Sequence, residues 1–335
     1  MLLTKFPRVV LSSLPTPLEK LERVSKHLSG VNVYVKRDDL TGCGGGGNKV
    51  RKLEYLLGDA VAKGADAIIT QGAVQSNHVR QTIACAAKIG LPTYAILERR
   101  VQGTNQRFDE TGNVLLDHLF GVNNLRFVNA GTDMNKEMQV EASRLREQGK
   151  NPYIIPGGGS NVIGALGYVH AALELINQAN EKNLRIDHVI VGSGSSGTHA
   201  GLAAGFKAFS AGINLVGISV RQPEKFQVNK VWQEAQHVSE YMQSPALSED
   251  EIKVDSSYVG EGYGLPTKGT WDAIVLAARL EGLILDPVYT GKAFDGLLGL
   301  ARQGVFKPGE NVVFFHTGGN FGLFAYEEQL RRHLA

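Results

Sequence analysis

Short apolar runs alternate along this 335-residue chain with longer stretches whose apolar positions recur every three or four residues. The runs read as buried strands and the longer stretches as amphipathic helices. Helices are predicted over 48–63, through 84–88, and over 112–120 and 134–147, with strands at 67–70, 93–97, 125–128 and 152–155. The second half predicts helices over 164–178, 198–209, 224–241, 269–281 and 290–303 and strands at 188–191, 215–219 and 312–315. Residues 71–76 read as a turn and 240–256 as a polar connection. Strands joined by helical crossovers specify an α/β fold of open, mostly parallel twisted sheets covered on both faces by helices. In such sheets ligands gather at the carboxyl ends of the strands.

The unusual loops all follow strands. Gln75-Ser-Asn-His78, Pro156-Gly-Gly-Gly-Ser-Asn161, Gly192-Ser-Gly-Ser-Ser-Gly-Thr198 and His316-Thr-Gly-Gly-Asn320 would therefore share one rim. A fifth, Thr41-Gly-Cys-Gly-Gly-Gly-Gly-Asn-Lys49, places a lysine at the mouth of a helix, where amides form a positive pole. A lysine held there out of water would have its charged form disfavoured and could act as an amine nucleophile.

Composition narrows the classes. The charged fraction is 20% with a formal net charge of +2, giving no pull toward nucleic acid. No apolar run is long enough for a membrane span, and the first seven residues lack the apolar core of a signal peptide. Cys43 and Cys85 make neither a disulfide framework nor a metal site by spacing, and no metal is expected. A cytoplasmic location is the expectation.

Gly192-Ser-Gly-Ser-Ser-Gly197 matches a dinucleotide fingerprint, and Arg221 stands near the place of the usual acid. An NADP-dependent oxidoreductase is thus a rival reading, and a plain glycine turn another. Against the dinucleotide, Ser193, Ser195, Ser196 and Thr198 crowd hydroxyls around a helix start, which suits one terminal phosphate. The Lys49 loop approaches a nucleotide-phosphate loop but lacks the hydroxyl after its lysine. Ser76-Asn77-His78 either caps a helix or offers donors to a carboxylate. Thr317 supplies a neutral hydroxyl at a strand end, and Tyr263 and Tyr289 lie in loops. One lysine, one phosphate cup and one hydroxyl together fit pyridoxal 5′-phosphate, which needs an amine, an anion nest and a partner for its ring nitrogen.

The motifs Gly-Gly-Asn-Lys49-Val-Arg-Lys-Leu-Glu-Tyr, Gln75-Ser-Asn-His78, Gly197-Thr-His-Ala-Gly201, Leu285-Asp-Pro-Val-Tyr-Thr-Gly291 and His316-Thr-Gly-Gly319 resemble the D-cysteine desulfhydrase and 1-aminocyclopropane-1-carboxylate deaminase family. That family is a branch of the tryptophan-synthase-β-like, fold type II enzymes. The resemblance implies a large domain of residues 1–48 plus 157–335, an inserted small domain of 49–156, and a homodimer. It implies that Lys49 is the lysine that bonds the cofactor and moves protons. Asn77 would reach the cofactor's phenolic oxygen, Ser195, Ser196, Gly197 and Thr198 would cup its phosphate, and Thr317 would face its ring nitrogen. Ser76 and His78 would hold the substrate carboxylate, with Ser76 near the chemistry, and Tyr263, Tyr289 and Thr290 would flank the substrate.

Members that open the cyclopropane ring carry glutamate in place of Thr290, glutamine in place of His78 and leucine in place of Thr317. Lacking that carboxylate, this chain would run a shallower electron sink, favouring expulsion of a good sulfur leaving group over ring opening. D-cysteine desulfhydrase is the first expectation. L-cysteate sulfo-lyase is the alternative, supported by Gly112-Asn-Val-Leu-Leu-Asp-His118, Tyr258-Val-Gly-Glu-Gly-Tyr263 and a sulfonate role for Arg221. The deaminase comes third.

Overall fold

A computed structural model describes residues 3–335. Ten strands form two sheets: β1 (Leu18–Lys20), β2 (Asn32–Lys36), β3 (Ala67–Ala73), β4 (Thr93–Glu98), β5 (Asn124–Val128), β6 (Pro152–Ile155), β7 (His188–Ser193), β8 (Asn214–Ser219), β9 (Lys253–Asp255) and β10 (Asn311–Phe315). One sheet has the order β1-β2-β10-β7-β8-β9, the other β5-β4-β3-β6. Only β1 runs antiparallel, against β2; every other pairing is parallel. The fold is the expected α/β type, with mostly parallel strands flanked by helices.

Parallel strands need crossovers, and their apolar residues show why both faces are covered. Val189, Ile190 and Val191 of β7 and Val312, Val313, Phe314 and Phe315 of β10 are each fully buried. Helix Asn48–Ala62 spaces Val50, Leu53, Leu57 and Ala60 along one face, and all four are buried with Ile68 and Ile155 of the smaller sheet. Side-chain caps fix several starts: Ser76 Oγ accepts from the Val79 amide, and Asn161 from that of Gly164.

Some boundaries differ from expectation. β3 runs on through Gln71-Gly-Ala73, where a turn was predicted, because Gly72 and Ala73 pair with Leu97 and Glu98 of β4. β9 emerges inside the stretch read as a connection, and β1 and β2 were not foreseen. The carboxyl ends of β3, β6, β7 and β10 deliver the glycine-rich and hydroxyl-rich loops to one cleft. No helix among the described residues is long and apolar enough to cross a membrane.

Candidate active site

The cleft holds about 1160 Å³ of empty space, part of it open to solvent, enough for a cofactor and a small amino acid. It is lined by Lys49, Ser76, Asn77, His78, Ser195, Ser196, Thr198, Tyr263, Tyr289 and Thr317. Ten of the twelve residues singled out from sequence thus meet there. Gly197 lies just behind the wall, and Thr290 is elsewhere.

Lys49 occupies the first turn of the Asn48–Ala62 helix, and this helix start is built from three directions. The Asn48 amide donates to the Thr317 carbonyl at 2.9 Å, while the Lys49 and Val50 amides donate to Gln81 Oε1 at 3.0 and 3.2 Å. Gly47 has φ +126°, and a Cβ there would stand 2.7 Å from Gln81 Nε2, so only glycine fits. Lys49 is half-buried, with Nζ 3.6 Å from where a Cβ on Gly158 would stand. Burial pulls its pKa down to about 8, helped by Lys230 and opposed by Glu234 and Lys52. An amine so poised loses its proton far more readily than an exposed lysine.

The anion cup surrounds Gly197. A Cβ on Gly197 would lie 2.8 Å from Lys52 Nζ, 2.8 Å from Glu234 Oε1 and 2.9 Å from Ser160 Oγ. The Gly197 amide donates to Ser160 Oγ, which in turn donates to Ser195 Oγ at 2.9 Å. Lys52 Nζ reaches Ser160 Oγ and the Gly158 carbonyl, both at 3.2 Å. Ser196, at φ +82°, is bonded to Glu234 Oε2, and Thr198 Oγ1 accepts from the side-chain Nδ2 of Asn48 at 2.9 Å. Burial and the neighbouring Lys49 push the Lys52 pKa far below its ordinary value. A phosphate would relieve that cost, so the residues fit the group.

Asn77 opens the helix Asn77–Lys88, and its Oδ1 accepts from Asn113 at 2.9 Å. With the oxygen occupied, the Asn77 NH₂ is the end left to donate into the cleft. His78 differs from expectation. Its Nε2 is bonded to Thr70 Oγ1 at 2.8 Å, and that hydroxyl already donates to the Ile155 carbonyl. Nε2 therefore carries the proton, and burial beside Lys49 and Lys52 keeps the ring neutral. A neutral imidazole tied to threonine is a poor carboxylate clamp. Thr290 is a second correction: its hydroxyl donates to Asp286 Oδ1 at 2.7 Å and accepts from the Asp286 amide at 2.8 Å, away from the cleft.

Across from Lys49, the Tyr263 and Tyr289 hydroxyls lie 2.7 Å apart. Burial raises both phenols, and either hydroxyl can donate in the bond they share. Lys52, Glu234, Asn113 and Arg100 were given no role from the sequence, and Ser160 entered only within the Pro156–Asn161 loop. Lys52 left a signal there, one helical turn from Lys49.

A family model described as "Pyridoxal-phosphate dependent enzyme" matches residues 10–318. The chain belongs to that family. Its members bind pyridoxal 5′-phosphate, so the dinucleotide reading of the Gly192–Gly197 loop gives way. Among solved structures, an "ACC deaminase homologue" is 40% identical with TM-score 0.89, covering 99% of this chain and 97% of that one. An O-ureido-L-serine synthase has TM-score 0.65 at 17% identity, covering 95% of this chain and 93% of that chain. A hydrogen sulfide-producing enzyme from Fusobacterium nucleatum has TM-score 0.63 at 15% identity, covering 92% and 94% respectively. These two show likeness of fold only.

Proposed function

We propose that this chain catalyses α,β-elimination on a cysteine-type amino acid, with D-cysteine first, yielding pyruvate, ammonia and sulfide. The observation that carries the reading is a cleft with a lysine whose proton is loosened by burial and a phosphate cup, but no aspartate or glutamate in its lining among the described residues. Pyridoxal phosphate, when bound, supplies an electrophilic carbon and a ring that accepts the electron pair from Cα. Lys52, Ser195, Ser196, Gly197 and Thr198 would hold its phosphate, Asn77 its phenolic oxygen and Thr317 its ring nitrogen.

Beside a hydroxyl rather than a carboxylate, the ring nitrogen stays closer to neutral. That suits loss of a good leaving group from Cβ better than opening a cyclopropane. Ser76 and the amides of the Asn77 helix start hold the substrate carboxylate. Lys49 Nζ takes the proton from Cα, and Tyr263, hydrogen-bonded to Tyr289, hands a proton to the departing sulfur. Free 2-aminoacrylate then hydrolyses to pyruvate and ammonium. The homodimer implied by the family resemblance is part of the proposal, and sedimentation equilibrium tests it.

Pyruvate release from D-cysteine, L-cysteine, L-cysteate, D-serine, β-chloro-D-alanine and 1-aminocyclopropane-1-carboxylate, measured side by side, tests the reading. Turnover of sulfur substrates, lost in Lys49→Ala together with the imine absorbance, is expected. Turnover that survives Lys49→Ala, or confined to the cyclopropane substrate, refutes it.

A further inference from the structure

The chain has two cysteines, far apart in sequence, and the fold brings them together. Cys43 lies in the glycine loop that leads to Lys49, and Cys85 in the helix Asn77–Lys88. Both thiols are free, and the half-buried Cys43 packs against the apolar cluster that encloses the fully buried Cys85. The close approach needs glycine at position 44. With φ +61°, a Cβ there would stand 2.6 Å from the Ala84 Cβ. The thiols meet in a hydrogen-bonding contact, which draws Cys43 below the ordinary thiol range, against burial and with help from the Lys88 ammonium. The same contact, together with burial, drives Cys85 up. Cys43 is therefore the sulfur that ionises first, and Cys85 the one that keeps its proton.

The pair brackets the machinery already described. Lys49, Ser76 and Asn77 all lie between residues 43 and 85, and the loop is clipped to the helix beside them. Arg80 donates to the Gly44 and Gly46 carbonyls at 2.9 and 3.0 Å, and Gln81 Oε1 accepts the Lys49 and Val50 amides. This joint has no slack. A Cβ on Gly46 would fall 2.0 Å from the Asp39 carbonyl oxygen, and one on Gly47 2.7 Å from Gln81 Nε2. A shift of Cys43 toward the helix therefore passes to Gln81 and to the helix start that carries Lys49.

We propose that Cys43 and Cys85 form a hydroperoxide-sensitive modification site whose disulfide loosens the hold on the cofactor, whichever amino acid the cleft takes. With hydrogen peroxide, the Cys43 thiolate attacks the O–O bond. An S–O bond forms, the O–O bond breaks, and the departing hydroxide takes up a proton as water, leaving a sulfenic acid. The Cys85 thiol then attacks that sulfur. The S–S bond forms, the S–O bond breaks, and hydroxide departs as water with the Cys85 proton. Two thiols and one hydrogen peroxide give one disulfide and two waters, with two electrons passing from sulfur to the peroxide oxygens. Closing the bond brings the sulfurs nearer than two thiols in contact can stand, which drives the glycine loop against the helix. A dithiol reverses the step.

With only these two cysteines in the sequence, a whole-protein thiol count reads the pair alone. Wild-type and Cys43→Ser holoenzymes are treated with hydrogen peroxide, then assayed for thiols after denaturation, for the cysteine peptides by mass, and for cofactor release by equilibrium dialysis. In wild type both thiols should vanish into one cross-linked peptide pair within a single chain. The cofactor dissociation constant should rise at least about fivefold, and dithiothreitol should restore both readings. In Cys43→Ser the remaining buried thiol should survive and peroxide should leave cofactor binding unmoved. Two surviving thiols in wild type, oxygen gained at Cys43 without a cross-link, or a bond between separate chains overturns the site. A disulfide that forms with cofactor binding unchanged, or a loss of binding equally large in Cys43→Ser, overturns its coupling to the cleft and the proposal with it.

Discussion

Within four residues of one helix, Lys49, Arg51 and Lys52 carry three buried or half-buried cations with opposite fates. Arg51 points away from the cleft into a closed ionic cluster. It bonds Asp38 through Nε and Nη2 at 2.9 and 2.8 Å, Glu174 through both terminal nitrogens at 3.0 and 2.8 Å, and Thr16 Oγ1 at 3.0 Å. Lys36 and Tyr168 complete the set, bonding Glu174 and Asp38. Burial alone would raise the Glu174 carboxyl, but Arg51 and Lys36 hold it down at about 2. On the opposite face, Lys49 and Lys52 find hydroxyls, carbonyls and each other, with Glu234 engaged by Ser196. A buried cation surrounded by carboxylates is part of the scaffold. One short of counter-charge is waiting for a ligand.

Breaking the satisfied side should have the largest effect on stability. Arg51→Met leaves Asp38 and Glu174 buried without their shared partner, a loss of roughly 3–5 kcal/mol. Urea unfolding should show that drop, while the folded remainder still binds the cofactor. A loss below about 1 kcal/mol would place Arg51 among dispensable ion pairs. On the unsatisfied side, Lys52→Met should weaken cofactor binding by roughly ten- to a hundredfold, the worth of a charge-assisted hydrogen bond. Absorbance titration of the apoenzyme reads this, and an unchanged dissociation constant removes Lys52 from the cup.

How far the sequence reaches follows the same division. Strands such as Ala67–Ala73 and Asn311–Phe315 show as apolar runs because parallel sheets bury both faces. Leu18–Lys20 and Lys253–Asp255 do not, being three-residue edge strands with one buried side chain each. Lys49 and the serines show because glycine and hydroxyls are unusual immediately after apolar strands. Glu234 and Asn113 are invisible, since their partners Ser196 and Asn77 lie 38 and 36 residues away. Thr290 was misplaced because adjacency in the chain to a site residue does not tell which way a side chain turns.

The strain on Lys49 has a sign that can be measured. Its pKa falls from 10.5 to about 8 on folding, so the folded apoenzyme binds fewer protons than the unfolded chain between those values. The penalty is full below pH 8 and fades as pH rises toward 10.5. Lys49→Met should therefore stabilise the apoenzyme at pH 7, and the gain should shrink by pH 10. Paired urea midpoints at the two pH values test this; a gain independent of pH would assign it to packing instead.

The smallest expected effect separates Thr290 from the residues it was grouped with. Its hydroxyl serves the turn that starts helix Thr290–Arg302, where Asp286 Oδ1 also accepts the Thr290 amide at 2.9 Å and Oδ2 takes the amides of Val288 and Tyr289, each at 2.9 Å. Thr290→Val keeps the shape and removes one acceptor for the Asp286 amide, costing about 1 kcal/mol, the usual worth of a helix-start side chain. Because the hydroxyl faces the turn, KM and turnover per folded molecule should hold while the melting temperature falls. Thr290→Ser, which restores the hydroxyl, should recover most of that fall. A KM that rises in Thr290→Val with no change in melting temperature would return Thr290 to the substrate wall.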